Sequence, residues 1–208
     1  MISEGNDLFV TVPDKNCILG DKLTAFAPHT TGISFGINKE LEIIKQMFDC
    51  WALIQEMDDY TMVADVYKKV SQIELDYRGL DESFTDCLED TIAGCICIIG
   101  RGNVNQEDYG SFSKGINAIQ GHIITDRING ENAGFYASEV MYLATCILTN
   151  QTIYERVVNP ELYRNVNLSI KGIKKISGFR NVNPLAYSYV VKSLQLLNNH
   201  GLYTDSIL

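Results

Sequence analysis

The sequence predicts a mainly α-helical protein: a helical bundle or array with one short strand near the N-terminus. Three observations carry this. Through nearly every long segment, apolar residues recur at three- and four-residue intervals, the period of one face of an α-helix. The breaks between segments are short and rich in Pro, Gly, Asn and Asp, the residues that cap and end helices. Only one run, Leu8-Phe-Val-Thr-Val12, is β-branched and aromatic throughout, and it stops at Pro13.

Asp14 is placed to cap a first helix that reaches about Ala27 and ends at Pro28. After the loop His29–Ile37, Asn38 caps a long helix to about Met57, with Ile43, Ile44, Met47, Phe48, Trp51, Leu53 and Ile54 in helical rhythm. Asp58 and Asp59 break it and open a third helix, Thr61 to Tyr77, closed by Arg78 and Gly79. Ser83 opens a fourth, which reaches Ile99 before Gly100. A fifth covers about Tyr109 to Arg127 and stops at Asn129 and Gly130. The sixth, Ala133 to Thr149, is apolar on most sides and is expected at the centre. Short helical pieces follow around Ile153–Val158 and Pro160–Ile176. Gly178 interrupts, and Asn183-Pro184 starts a last helix to Asn199. No fixed-period repeat points to a solenoid, and the connections are as short as those of a bundle.

The 208 residues are 46% hydrophobic and 21% charged, enough apolar surface for a substantial core. A formal net charge of −9 weakens any non-specific grip on a nucleic-acid backbone. Six cysteines (17, 50, 87, 95, 97 and 146) fall within helical apolar patterns, where thiols act as small hydrophobes. Cys95 and Cys97 have no CxxC pair or neighbouring histidine to complete a ligand set. The N-terminus has neither the basic start nor the apolar run of a secretory leader, so the expected compartment is the reducing cytoplasm. No apolar stretch reaches the roughly 18 residues of a membrane span, so no membrane partner is expected.

Three charges stand out on the first two helices. Lys22 sits amid Ile18, Leu19, Leu23 and Phe26; Lys45 and Asp49 are one turn apart beside Ile44, Met47 and Phe48. Two readings are open. Lys45 and Asp49 form a surface ion pair while Lys22 snorkels from its helix. Alternatively the three form a phosphate site, with lysine as point charge and donor and aspartate as orienting group, base or ion partner.

The run Ile18-Leu-Gly-Asp-Lys-Leu-Thr-Ala-Phe26, a loop, and then Ile44-Lys-Gln-Met-Phe-Asp-Cys-Trp-Ala-Leu53 resembles the later part of the AbiEii-type nucleotidyltransferases, the toxins of type IV toxin–antitoxin abortive-infection systems. The resemblance covers about residues 8–57 and is only general beyond. It implies that Lys22 is the family's motif lysine and binds nucleotide phosphates. Asp49 would be its later aspartate, a base or ion partner, and Lys45 the basic residue before it, adding electrostatic support. It also implies that Leu8–Val12 is the remnant of a polymerase-β-like nucleotidyltransferase sheet. Residues 1–57 would then be the end of that core, and 58–208 a C-terminal helical domain packed with it as one unit.

The chain also departs from the family. The family's catalytic half carries a Gly-Ser turn and an Asp-x-Asp that hold the metal ions of phosphoryl transfer. Here no Asp-x-Asp occurs, and the only Gly-Ser, Gly110-Ser111, lies in a helical region. The chain is therefore expected to be a truncated gene product or a piece of a split or shortened protein, with nucleotidyl transfer very weak or nil on its own. Mg2+ and an NTP are the intact family's cofactors, and neither is expected to bind tightly here. The partners implied are a missing catalytic half, a cognate antitoxin, or an RNA or protein acceptor. The alternative is a non-catalytic helical interaction or RNA-binding protein.

Arg164, Lys171, Lys174, Lys175 and Arg180 form the most basic stretch of this acidic chain. Lys171, Lys174 and Lys175 share one helical side, either as a solvated cationic face or as an RNA contact through phosphates. His29, His122 and His200 share no ligand spacing; His29 lies in the loop between the two motif helices.

Overall fold

In the computed structural model, which describes residues 10–121, 128–167 and 176–202, Asp14 caps the first helix as the sequence suggests. Its carboxylate accepts the Asn16 backbone N–H at 2.8 Å. The order is α1 (Lys15–Ala25), α2 (Glu40–Glu56), α3 (Tyr60–Arg78), α4 (Phe84–Ile99), α5 (Gln106–Ile119), α6 (Ala133–Leu148), a 3-10 turn (Pro160–Tyr163), α7 (Ile176–Val182) and α8 (Pro184–Asn199). The protein is mainly α, and no strand occurs among the described residues.

Local chemistry explains most boundaries. Ser83 and Asp86 make a reciprocal capping box at the start of α4. Gly79 ends α3 in the left-handed region at φ 65°, where a side chain would be strained. Asn183 caps α8 through the Ala186 N–H, with Pro184 in the first turn, where its missing N–H costs nothing.

Helix α6 is the centre. All of its side chains except Phe135 and Tyr136 are buried, and Glu139 is its only charge. It packs on α4, α2 and α8, with α4 its most extensive partner. One continuous apolar core runs from Leu19 and Leu23 on α1 to Val190 and Leu197 on α8. Helix α1 lies on α3, and the approach is closest at Gly20, where a Cβ would stand 2.8 Å from the Val63 carbonyl oxygen. Buried Asn16 ties the start of α1 to the α2–α3 turn. Its amide donates to Asp58 Oδ1 at 2.8 Å and accepts the Asp58 N–H at 3.2 Å.

Several expectations need correction. Val10–Val12 form no strand; Val10 and Val12 are exposed, and no described segment offers them a ladder partner. Leu8 and Phe9 lie outside the described residues. Lys39, not Asn38, occupies the N-cap position of α2, without a side-chain cap, and Asn38 takes a left-handed turn at φ 59° just before it. Residues 153–158 are not helical: Ile153 and Val158 are exposed, so they offer no apolar face to bury. Gly178 does not interrupt a helix but lies inside α7. The end of the fifth helix, residues 122–127, lies outside the described residues.

Candidate functional site

Leu19 and Leu23 on α1 and Ile43, Ile44 and Met47 on α2 are fully buried and hold the two helices together. That packing fixes the polar residues at the rim of the contact. Lys22 Nζ stands 2.9 Å from Asp49 Oδ2 and 3.2 Å from Gln46 Oε1. The two charged side chains are 31% and 26% exposed, so the pair is half-buried and open to solvent on one side. Lys22 occupies the last turn of α1, where the helix dipole favours a cation. Beneath the pair, Cys50 is buried; desolvation pushes its thiol far up and makes it inert as a nucleophile.

Lys45 is exposed and does not pair with Asp49. The i,i+4 spacing suggested such a pair, but Asp49 turns into the α1–α2 contact and Lys22 takes it. Of the three residues singled out, the fold brings two together and leaves the third in solvent.

An ammonium has three donors. Asp49 and Gln46 accept two from Lys22, and the third remains for an oxygen of an approaching anion such as a phosphate. The same surroundings do not fit a magnesium ion. Asp49 is flanked by an ammonium and an amide rather than by a second carboxylate. Among the described residues no group of three or more His, Cys, Asp or Glu is arranged to hold a metal.

The remaining candidates lie elsewhere. His29 turns toward α5, its Nε2 2.9 Å from Asp108 Oδ2 and its ring edge-on to Phe35. Lys171, Lys174 and Lys175 lie outside the described residues, as does His122. Arg164 pairs with Glu161 at 3.1 Å. Arg180 is half-buried: its guanidinium lies over the Tyr187 ring and donates to the Val166 carbonyl and the Tyr187 hydroxyl.

A second polar constellation was not singled out in the sequence. Glu139, the lone charge of α6, has a side chain only 8% exposed. Its Oε2 accepts from Gln55 Nε2 at 2.8 Å, its Oε1 accepts from the Tyr154 hydroxyl at 3.4 Å, and Arg156 NH1 is 3.8 Å away. Burial and then the Glu139 carboxylate push the Tyr189 phenol up to about 12. Arg156 also donates to the carbonyls of Ile54 and Met57, closing the C-terminus of α2. The available signal was a single glutamate in an otherwise uncharged sixteen-residue helix.

No family model, curated protein or solved structure matches the chain.

Proposed function

We propose that this chain is the helical part of an AbiEii-like nucleotidyltransferase, in which Lys22 receives the phosphates of a nucleotide and Asp49 holds Lys22 in place. The reaction class is nucleotidyl transfer: an acceptor oxygen of RNA or protein attacks the α-phosphorus of an NTP and pyrophosphate leaves. Metal ions supply Lewis-acid chemistry in that reaction. Their Asp-x-Asp ligands are not among these 208 residues and would come from a separate catalytic half. Within this chain, Lys22 would neutralise phosphate charge, Gln46 and Asp49 would fix its ammonium, and exposed Lys45 would raise the local positive potential.

The observation that supports this reading is the 2.9 Å approach of Lys22 and Asp49 across two helices, with one lysine donor left over. It joins the two segments that carry the family resemblance. A labelled-NTP incorporation assay, with and without a supplied Asp-x-Asp-bearing half, tests it. Incorporation should require both parts and be lost in Lys22→Met. Incorporation unchanged by Lys22→Met, or none with the half supplied, overturns it.

One observation favours a second reading, a non-catalytic helical interaction protein. Lys22, Gln46 and Asp49 satisfy one another and could serve only to clasp α1 to α2. Under that reading Lys22→Met lowers stability and changes no incorporation.

A further inference from the structure

Where α4 ends, the start of α6 and helix α7 close around a cavity of about 210 Å3. Its lining is mostly apolar: Ile99 and Phe179 are buried beneath it, Phe135 is half-buried, and Val182 stands largely exposed at the side. Phe179 meets Phe135 edge to face, with ring centroids 4.9 Å apart. It also lies so close to α6 that a Cβ on Gly134 would come within 2.6 Å of its ring. Packing therefore holds this floor in place. No residue of α1 or α2 lines the cavity, so it is separate from the lysine–aspartate pair.

Two opposite charges, Arg101 and Glu131, line the same cavity. Both are exposed, and neither side chain has an ion pair or hydrogen bond among the described residues. The other described arginines, Arg78, Arg156, Arg164 and Arg180, all donate to a neighbouring group. Arg101 also holds the left-handed region at φ 50°, a conformation that suits glycine and disfavours a side chain. Opposite it, Asn129 Oδ1 accepts the Glu131 backbone N–H at 2.7 Å, which fixes the turn and leaves the carboxylate unengaged.

These features define what fits. An uncharged apolar molecule would leave both charges unused, and a polyanion would meet Glu131. The volume is that of roughly seven liquid waters and lies below the usual drug-sized range of about 300–1,000 Å3. We infer that this cavity binds a free α-amino acid with a large aliphatic side chain, of the leucine class. Its carboxylate meets the Arg101 guanidinium, its ammonium meets Glu131, and its side chain rests on Ile99, Phe135 and Phe179. The inference holds whether or not the chain takes part in nucleotidyl transfer.

The full chain is titrated with L-leucine and binding is read by ligand-observed saturation-transfer NMR. Three comparison ligands each lack one feature: glycine the side chain, 4-methylpentanoic acid the ammonium, and 3-methylbutylamine the carboxylate. Two variants, Arg101→Gly and Glu131→Gln, each remove one charge from the protein. L-leucine should give a saturable signal. The three comparison ligands, and L-leucine with either variant, should bind at least about tenfold more weakly. Arg101→Gly should melt no lower than the parent, because glycine suits φ 50°, which separates a lost ligand contact from a damaged fold. No saturable signal with millimolar L-leucine, equal affinity for any comparison ligand, or undiminished binding by either variant overturns the assignment.

Discussion

Asp90 on α4 reaches across to His29 in the loop after α1, its Oδ2 accepting the His29 backbone N–H at 2.8 Å. The same oxygen accepts the Thr30 hydroxyl at 2.9 Å, so one buried carboxylate holds the turn that leads from α1 toward α2. Burial raises the Asp90 carboxyl above its ordinary range, opposed in part by these hydrogen bonds.

A carboxyl raised in the folded state binds more protons folded than unfolded, so its contribution to stability falls as pH rises from about 4, the unfolded value, through the folded one. Asp90→Asn keeps an acceptor oxygen and removes the ionisation. Its Tm relative to the parent should therefore climb between pH 4 and 7, as read in parallel melts. A difference that stays flat or shrinks with pH would refute this. Asp90→Ala, which strands the His29 N–H, should cost about 1–3 kcal/mol at neutral pH.

The Lys22–Asp49 pair should contribute little stability of its own. A double-mutant cycle with Lys22→Met and Asp49→Asn should give a coupling of about 0.2–1 kcal/mol in urea unfolding, reduced by salt. A coupling several times larger would mark the pair as a structural clasp rather than a group kept for a ligand.

Gly115 on α5 should tolerate no side chain. A Cβ there would stand 2.1 Å from the Glu40 carbonyl oxygen at the start of α2. Gly115→Ala should push α5 off α2 and destabilise the protein by about 1–3 kcal/mol or more, measured by chemical denaturation. Gly110→Ala on the same helix meets nothing within 4 Å and should not destabilise, which controls for helix propensity.

Thiol labelling should separate the six cysteines. Cys17 is partly exposed, whereas Cys50, Cys87, Cys95, Cys97 and Cys146 are buried. Burial also pushes the Cys97 and Cys146 thiols up to about 12, away from the reactive thiolate. An aromatic disulfide reagent should modify one thiol quickly in the native protein and the other five only on unfolding, with mass spectrometry placing the fast site at Cys17.

Much of this fold is written in local chemistry. Asp14, Ser83, Gly79 and Asn183 mark helix ends because each acts on its own neighbours, so each could be read from the sequence. The central position of α6 followed from its composition. What escaped depends on partners distant in the chain. The apolar run ending at Val12 had the composition of a strand but no neighbour to pair with over its described part. Spacing placed Lys45 beside Asp49, yet Lys22, 27 residues before Asp49, takes the carboxylate. Glu139 likewise meets Gln55, 84 residues earlier, a contact that no local pattern announces.

Because α6 fills the middle of the bundle yet is encoded after α1–α5, synthesis imposes an order of events. Until Ala133–Leu148 leaves the ribosome, the isoleucine- and cysteine-rich face of α4 lacks its main cover, while α2 has only α1 and α5 against it. The nascent protein passes through an interval with that apolar face uncovered, and it closes late, when that one segment slots between helices made well before it.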